Sequence, residues 1–148
     1  MRIEVRGRNT EVTPEVREAI EKRFERIGRQ VSELANLEVE LFEERNPSIA
    51  DHYVAEATLY LKGATLRARE ASPEMLHSIH KLAEDIRRQV KRERELRRGR
   101  ERTRRTMSRL RKREATIVAT LTAMRRDPNG HDANVMLERV LSLFGGPS

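Results

Sequence analysis

The sequence predicts an α+β fold, a two-layer β-α-β-β-β-α domain with a long basic C-terminal helix extension. Three observations carry that expectation. Four short segments alternate apolar and polar residues. Two stretches open on a Ser/Thr-Pro-Glu sequence and continue with apolar residues at helical spacing. The basic charge then collects after the second of these stretches rather than spreading along the chain.

The elements follow in order. Ile3 and Val5 alternate with Arg2, Glu4 and Arg6, as a half-buried strand requires. Thr13-Pro14-Glu15-Val16 reads as a helix start, with Thr13 as N-cap and Pro14 in the first turn. Val16, Ile20, Phe24, Ile27 and Val31 form its apolar stripe over roughly four turns. Leu37, Val39 and Leu41 alternate through a second strand, and Asn46-Pro47-Ser48 breaks the chain. Tyr53, Ala55, Ala57, Leu59 and Leu61 recur every second residue in a third. Lys62-Gly63 supplies a tight turn, and Ala64, Leu66 and Ala68 a fourth strand. Ser72-Pro73-Glu74 opens the last helix, whose core-facing stripe is Leu76, Ile79, Ala83, Ile86 and Val90.

After Val90 the apolar stripe stops, but the helical pattern does not. Arg87, Lys91, Arg94, Arg98, Arg102, Arg105, Arg109 and Lys112 recur at spacings of three and four, which places them on one helix face. A helix from Ser72 to Lys112 spans roughly 60 Å at 1.5 Å per residue. Gly99 is either a bending point within it or a tolerated helix glycine. Residues 1–86 carry 13 basic and 17 acidic side chains, residues 87–113 carry 15 and 3, and residues 114–148 carry 3 and 4. A mildly acidic body thus leads into a cationic, arginine-dominated helix. Guanidinium binds phosphate bidentately and stays charged at any biological pH. The aromatics of a single-strand reader are missing from this stretch. Its partner is therefore expected to be a folded polyanion, read through backbone and shape. The domain organisation expected is 1–92 as the α+β domain, 93–114 as the arginine-rich extension and 115–148 as an amphipathic helical tail.

The tail carries Ile117, Val118, Leu121 and Met124 at helical spacing, the turn sequence Asp127-Pro128-Asn129-Gly130, and then Met136, Leu137, Val140, Leu141 and Phe144 before Gly145-Gly146-Pro147. It is expected to fold back on the basic helix, where Leu96, Met107 and Leu110 lie opposite the cations, or to pair with a partner. Self-association through residues 115–148 is one form of that pairing.

Catalytic chemistry is not expected. The chain has no cysteine, hence no thiol nucleophile, thiolate metal site or disulfide. His77, His80 and Glu84 share one helix face but lack further ligands, and read as surface side chains. His52 and His131 fall in loop-like contexts. No glycine-rich phosphate loop is present, and glutamates opposite arginines on the strands read as surface pairs. No cofactor, metal or small-molecule substrate is therefore expected. No apolar run approaches a membrane span and MRIEVRGRNT has no signal-peptide core, so the expected location is the cytoplasm, away from membranes.

Within residues 1–92 the order of short motifs resembles the ribosome hibernation promoting factor family, which includes the ribosome-associated inhibitor. Gly7-Arg8-Asn9 and then Val12-Thr13-Pro14 are similar to the family's opening pattern. Arg17, Arg23, Arg26 and Arg29 fall where members carry basic residues on the first helix. Ser72-Pro73-Glu74-Met75, Ile79 and then Arg88-Gln89 resemble its last helix. Leu76 stands where members have tyrosine, Ser78 where they have alanine, and residues 115–148 do not resemble the dimerisation domain of long members. The resemblance implies binding of small-subunit rRNA at the decoding region, exclusion of mRNA and tRNA, and translational silencing in stationary phase or stress. The RNA-binding set it suggests, together with the cationic stripe, is Arg17, Arg23, Arg26, Arg29, Arg87, Arg88, Lys91, Arg92, Arg94, Arg98, Arg102, Arg105, Arg109 and Lys112. A generic structured-RNA-binding module, or a regulator whose basic helix docks on an acidic protein, are the alternatives that the residues leave open.

Overall fold

In the computed structural model, residues 1–126 and 131–144 are described. The elements are β1 (Arg2–Arg8), α1 (Pro14–Gly28), β2 (Asn36–Glu43), β3 (Tyr53–Leu61), β4 (Ala64–Ser72), α2 (Met75–Arg126) and α3 (His131–Phe144). The chain divides into two compact units, Met1–Glu95 and Leu96–Ser148.

The first unit is the expected α+β layer pair. Its sheet has the order β1-β2-β3-β4, with β1 parallel to β2 and the other neighbours antiparallel. The parallel pair is joined through α1, since parallel strands need a crossover rather than a tight hairpin. Strand parity follows the hydrophobic pattern. Leu37, Val39 and Leu41 of β2 and Ala55, Ala57 and Leu59 of β3 are buried. They form one core with Ile20, Phe24 and Ile27 of α1 and Ile79, Leu82, Ala83, Ile86 and Val90 of α2. Val16 and Val31 pack at its margin, Val31 just beyond the last residue of α1.

The start of α1 has the chemistry its sequence implies. The Val16 N–H donates to Thr13 Oγ1 at 3.3 Å, satisfying one of the orphan donors of the first turn, and Pro14 has no N–H to strand. The β3–β4 hairpin turns at Lys62-Gly63, where Gly63 has φ +82. At Gly7 the constraint is space: a Cβ would come within 2.2 Å of the Thr10 carbonyl oxygen.

Three expectations are corrected. Ser72 is the last residue of β4, paired with Tyr53, so α2 begins at Met75 and has no acidic residue in its first turn. The Ser72 hydroxyl still accepts the Glu74 N–H at 3.2 Å, which accounts for the cap-like sequence. Leu76 is 43% exposed, and Met75 and Leu82 pack on the core in its place. The helix face that meets the sheet is centred between Leu82 and Ile79, which puts Leu76 roughly a quarter turn off it. His131, expected in a loop, is the first residue of α3.

Ser78 is fully buried and ties the helix to the sheet. Its hydroxyl donates to the Tyr53 carbonyl at 2.7 Å and lies 2.8 Å from Ser72 Oγ. Two further side chains of α2 reach β4, which pairs with another strand on one side only. Lys81 Nζ donates to the Ala71 carbonyl at 3.1 Å and Gln89 Nε2 to the Arg67 carbonyl at 2.8 Å. Such cover satisfies edge-strand groups that could otherwise recruit another chain.

α2 continues unbroken through Gly99 to Arg126, so residues 115–126 are its last turns. In the second unit Thr120 is buried, and Thr116, Ile117, Ala123 and Met124 near it are half-buried. Leu96, Met107, Leu110 and Leu121 are exposed, so the expected fold-back does not cover them. The turn expected at 127–130, the stop expected at 145–147 and the side chain of Met136 lie outside the described residues.

Candidate nucleic-acid interface

The residues expected to contact RNA are all exposed. On α1, helix geometry distributes them rather than gathering them. Arg17 and Arg23 lie on opposite flanks of the buried Ile20–Phe24–Ile27 face, and Arg26 points away from it. Arg29 is the C-cap residue, and its guanidinium pairs with Glu25 at 2.8 Å.

On α2 the cations form a repeating pattern. In the first unit these are Arg87, Arg88, Lys91, Arg92 and Arg94; Arg87 pairs with Glu84 at 2.9 Å and Arg88 lies 3.6 Å from Asp85. In the second unit they are Arg98, Arg102, Arg105, Arg109 and Lys112, with Arg105 paired to Glu101 at 2.6 Å. These pairs are exposed and close on their own helix, so each contributes little to stability and yields readily to phosphate. With 3.6 residues per turn, the stripe from Arg87 through Lys112 occupies an arc of roughly 80°. Arg97, Arg104 and Arg111 fall outside that arc, at an interval of seven residues. That interval was the available signal for a second line of arginines, which the three–four spacing of the stripe obscured.

The open face of the sheet differs in character. Glu38, Glu40 and Glu56 occupy its two central strands, Glu4 lies on the edge strand β1, and arginines line both edge strands. Arg8 pairs with Glu40 at 3.2 Å and Arg69 with Glu56 at 2.8 Å. Both guanidiniums also stack on Phe42, at 4.3 and 5.3 Å from its ring centroid. These strand arginines are thus engaged with the sheet itself, as surface pairing predicts, with cation–π contacts that only the register reveals.

Among the described residues no group of three His, Cys, Asp or Glu could hold a metal ion. The rings of His77 and His80 stand 6.5 Å apart, while Glu84 is engaged by Arg87. His52 places Nδ1 3.0 Å from the Ala50 carbonyl and tilts against Tyr53. No described helix is long and apolar enough to cross a membrane.

A β-α-β-β-β-α layer pair whose last helix leads into a dense run of arginines defines a class of basic, helix-extended α+β proteins. Within that class, the chain belongs to the family described as Sigma 54 modulation protein / S30EA ribosomal protein, whose model matches residues 3–98. A ribosome hibernation promoting factor from Acinetobacter guillouiae is 27% identical over 101 residues, covering 65% of this chain and 89% of that relative. A ribosome hibernation promotion factor from Picosynechococcus sp. is 29% identical over 96 residues, covering 64% of this chain and half of that relative. Among solved structures, the N-terminal domain of Thermus thermophilus Protein Y is similar, with TM-score 0.53 and 27% identity, over 62% of this chain and 98% of that one. A ribosomal subunit interface protein from Coxiella burnetii shares the fold, with TM-score 0.55 and 21% identity, over 64% and 98%. The family match ends at residue 98, so most of the second unit lies outside it.

Proposed function

We propose that this chain is a cytoplasmic ribosome hibernation factor that silences translation by occupying the small-subunit decoding region and excluding mRNA and tRNA. The observation that carries this reading is the pairing of a family domain over residues 3–98 with an exposed arginine stripe that begins at its last helix. In this reading residues 1–92 seat on the ribosome and 93–114 extend the contact along rRNA phosphates. Residues 115–148 form an accessory helical tail. The cations of α1, with Arg87, Arg88, Lys91, Arg92, Arg94, Arg98, Arg102, Arg105, Arg109 and Lys112 of α2, make the RNA contacts.

Inhibition then comes from exclusion rather than chemistry. It is stoichiometric, leaves the rRNA covalently unchanged, and is relieved by excess mRNA and initiator tRNA, which bind the unoccupied state by mass action. A titration of in vitro translation beside bound copies per ribosome tests it. Activity should break sharply near one copy per ribosome. Many copies bound, with only a gradual loss of activity, would mean nonspecific attachment to exposed rRNA and would overturn the exclusion model.

A further inference from the structure

The side of α2 opposite the basic stripe is not featureless. Leu96, Thr103, Leu110 and Ile117 recur every seven residues, and Met107 and Leu121 stand four residues after Thr103 and Ile117, two heptads apart. Leu96 is 52% exposed, Met107 and Leu110 50% each and Leu121 61%, so among the described residues nothing closes over these four, while Ile117 toward the far end of the line is half-buried. Thr103 belongs to it as well. Its hydroxyl donates to the Gly99 carbonyl one turn back at 3.1 Å, which satisfies the polar atom on its own helix. Sustained seven-residue spacing of apolar residues is the pattern by which one helix packs knobs into the holes of another.

The charges beside the seam state what the other helix must be. Arg97, Arg104 and Arg111 each follow a seam residue and repeat at the same interval, so they occupy the flanking positions that select partners in paired helices. Residues 96–121 carry ten basic and two acidic side chains. A second copy would set these cations against one another: parallel pairing stacks Arg100 on Arg100 and Glu114 on Glu114 in the seam, and antiparallel pairing brings Arg104 against Arg111. Charge complementarity therefore favours a different occupant.

We propose that the Leu96–Leu121 seam is a docking surface for an acidic amphipathic helix of another protein. That helix carries an apolar seam, glutamate or aspartate at its flanking positions, and a cation opposite Glu114. Seam and basic stripe lie on nearly opposite sides of one helix, so a polyanion and the acidic helix bind together rather than compete. The surface lies in the second unit, largely beyond the family match, and does not depend on the ribosomal reading.

The probe is a fluorescent four-heptad peptide with leucine in its seam and glutamate at the flanks, titrated with the full-length protein by anisotropy. A second peptide has the same charges and serine in place of the leucines. The leucine peptide should bind saturably, and the serine peptide about tenfold more weakly or worse. Met107→Gln with Leu110→Gln should weaken the leucine peptide to a similar degree, with helicity and RNA affinity unchanged. Arg97→Glu, Arg104→Glu and Arg111→Glu together should shift preference to a lysine-flanked leucine peptide. Equal binding of the two acidic peptides would reduce the effect to bulk electrostatics and overturn the proposal. So would indifference of the leucine peptide to the seam variant, or sedimentation showing that the chain alone dimerises through Met107 and Leu110.

Discussion

Replacing Arg94, Arg98 and Arg102 together with alanine tests the proposed RNA contact at its densest stretch. All three are exposed, stand beyond the buried Val90, and take part in none of the ion pairs described. If each neutralises one phosphate, at roughly 0.7–0.9 slope units per phosphate, the log–log salt dependence flattens by roughly 2–3 units. Over a fourfold rise in salt, the triple variant then loses roughly 20- to 40-fold less affinity than the parent, from a weaker starting point. Alanine keeps the helix, and surface changes of this kind stay within about 0.5 kcal/mol, so the melting temperature should hardly move. Ribosome pelleting over a salt series, beside a thermal melt, reads both quantities. A variant that pellets like the parent at every salt concentration would refute the arginine stripe as the main contact. A lowered melting temperature would show instead that these side chains support the fold.

Other consequences are structural. Ile86 is fully buried, so Ile86→Ala should cost about 2–5 kcal/mol, and an unchanged denaturation midpoint would mean that this helix face is misassigned. Gly63→Ala forces a Cβ into a left-handed conformation and should destabilise the hairpin by about 1–2 kcal/mol, measured by urea denaturation. Gly7→Ala should be worse tolerated still, because its obstacle is the Thr10 backbone rather than a movable side chain. A fragment of residues 1–95 contains the whole buried core and should melt cooperatively with weakened ribosome binding; a molten fragment would show that the second unit completes the first.

The fold was legible wherever one residue's chemistry decides a local outcome. Thr13 and Pro14 mark the start of α1 because a hydroxyl and a missing N–H fit a first turn. Strand parity was legible because a one-residue slip would expose Leu37, Val39 and Leu41 together. The phase of α2 was not fully legible: Leu76 and Leu82 are equally apolar, and only the seating of the helix on the sheet separates them. The burial of Ser78 was not legible, because its partner is the Tyr53 carbonyl, 25 residues away. The double stacking of Arg8 and Arg69 on Phe42 requires the register of four strands. Of the candidate interface, the stripe on α2 could be read from spacing alone. The arginines of α1 could be named but not gathered, because periodicity places them on different sides of their helix.

The charge pattern of α2 has a thermodynamic consequence of its own. Residues 87–113 bear 15 basic and 3 acidic side chains, which at 1.5 Å rise per residue leaves one net positive charge per roughly 3.4 Å of helix. Phosphates along one strand of a nucleic-acid duplex repeat at about that interval. The helix is therefore a polyelectrolyte in its own right and gathers small anions much as RNA gathers cations. Binding RNA should free ions from both partners, with an entropy gain from each. The identity of the anion, and not only ionic strength, then becomes a control variable: replacing chloride with a weakly associating anion such as glutamate should tighten binding at constant cation concentration. The resident anions of the cell thereby compete directly for this helix.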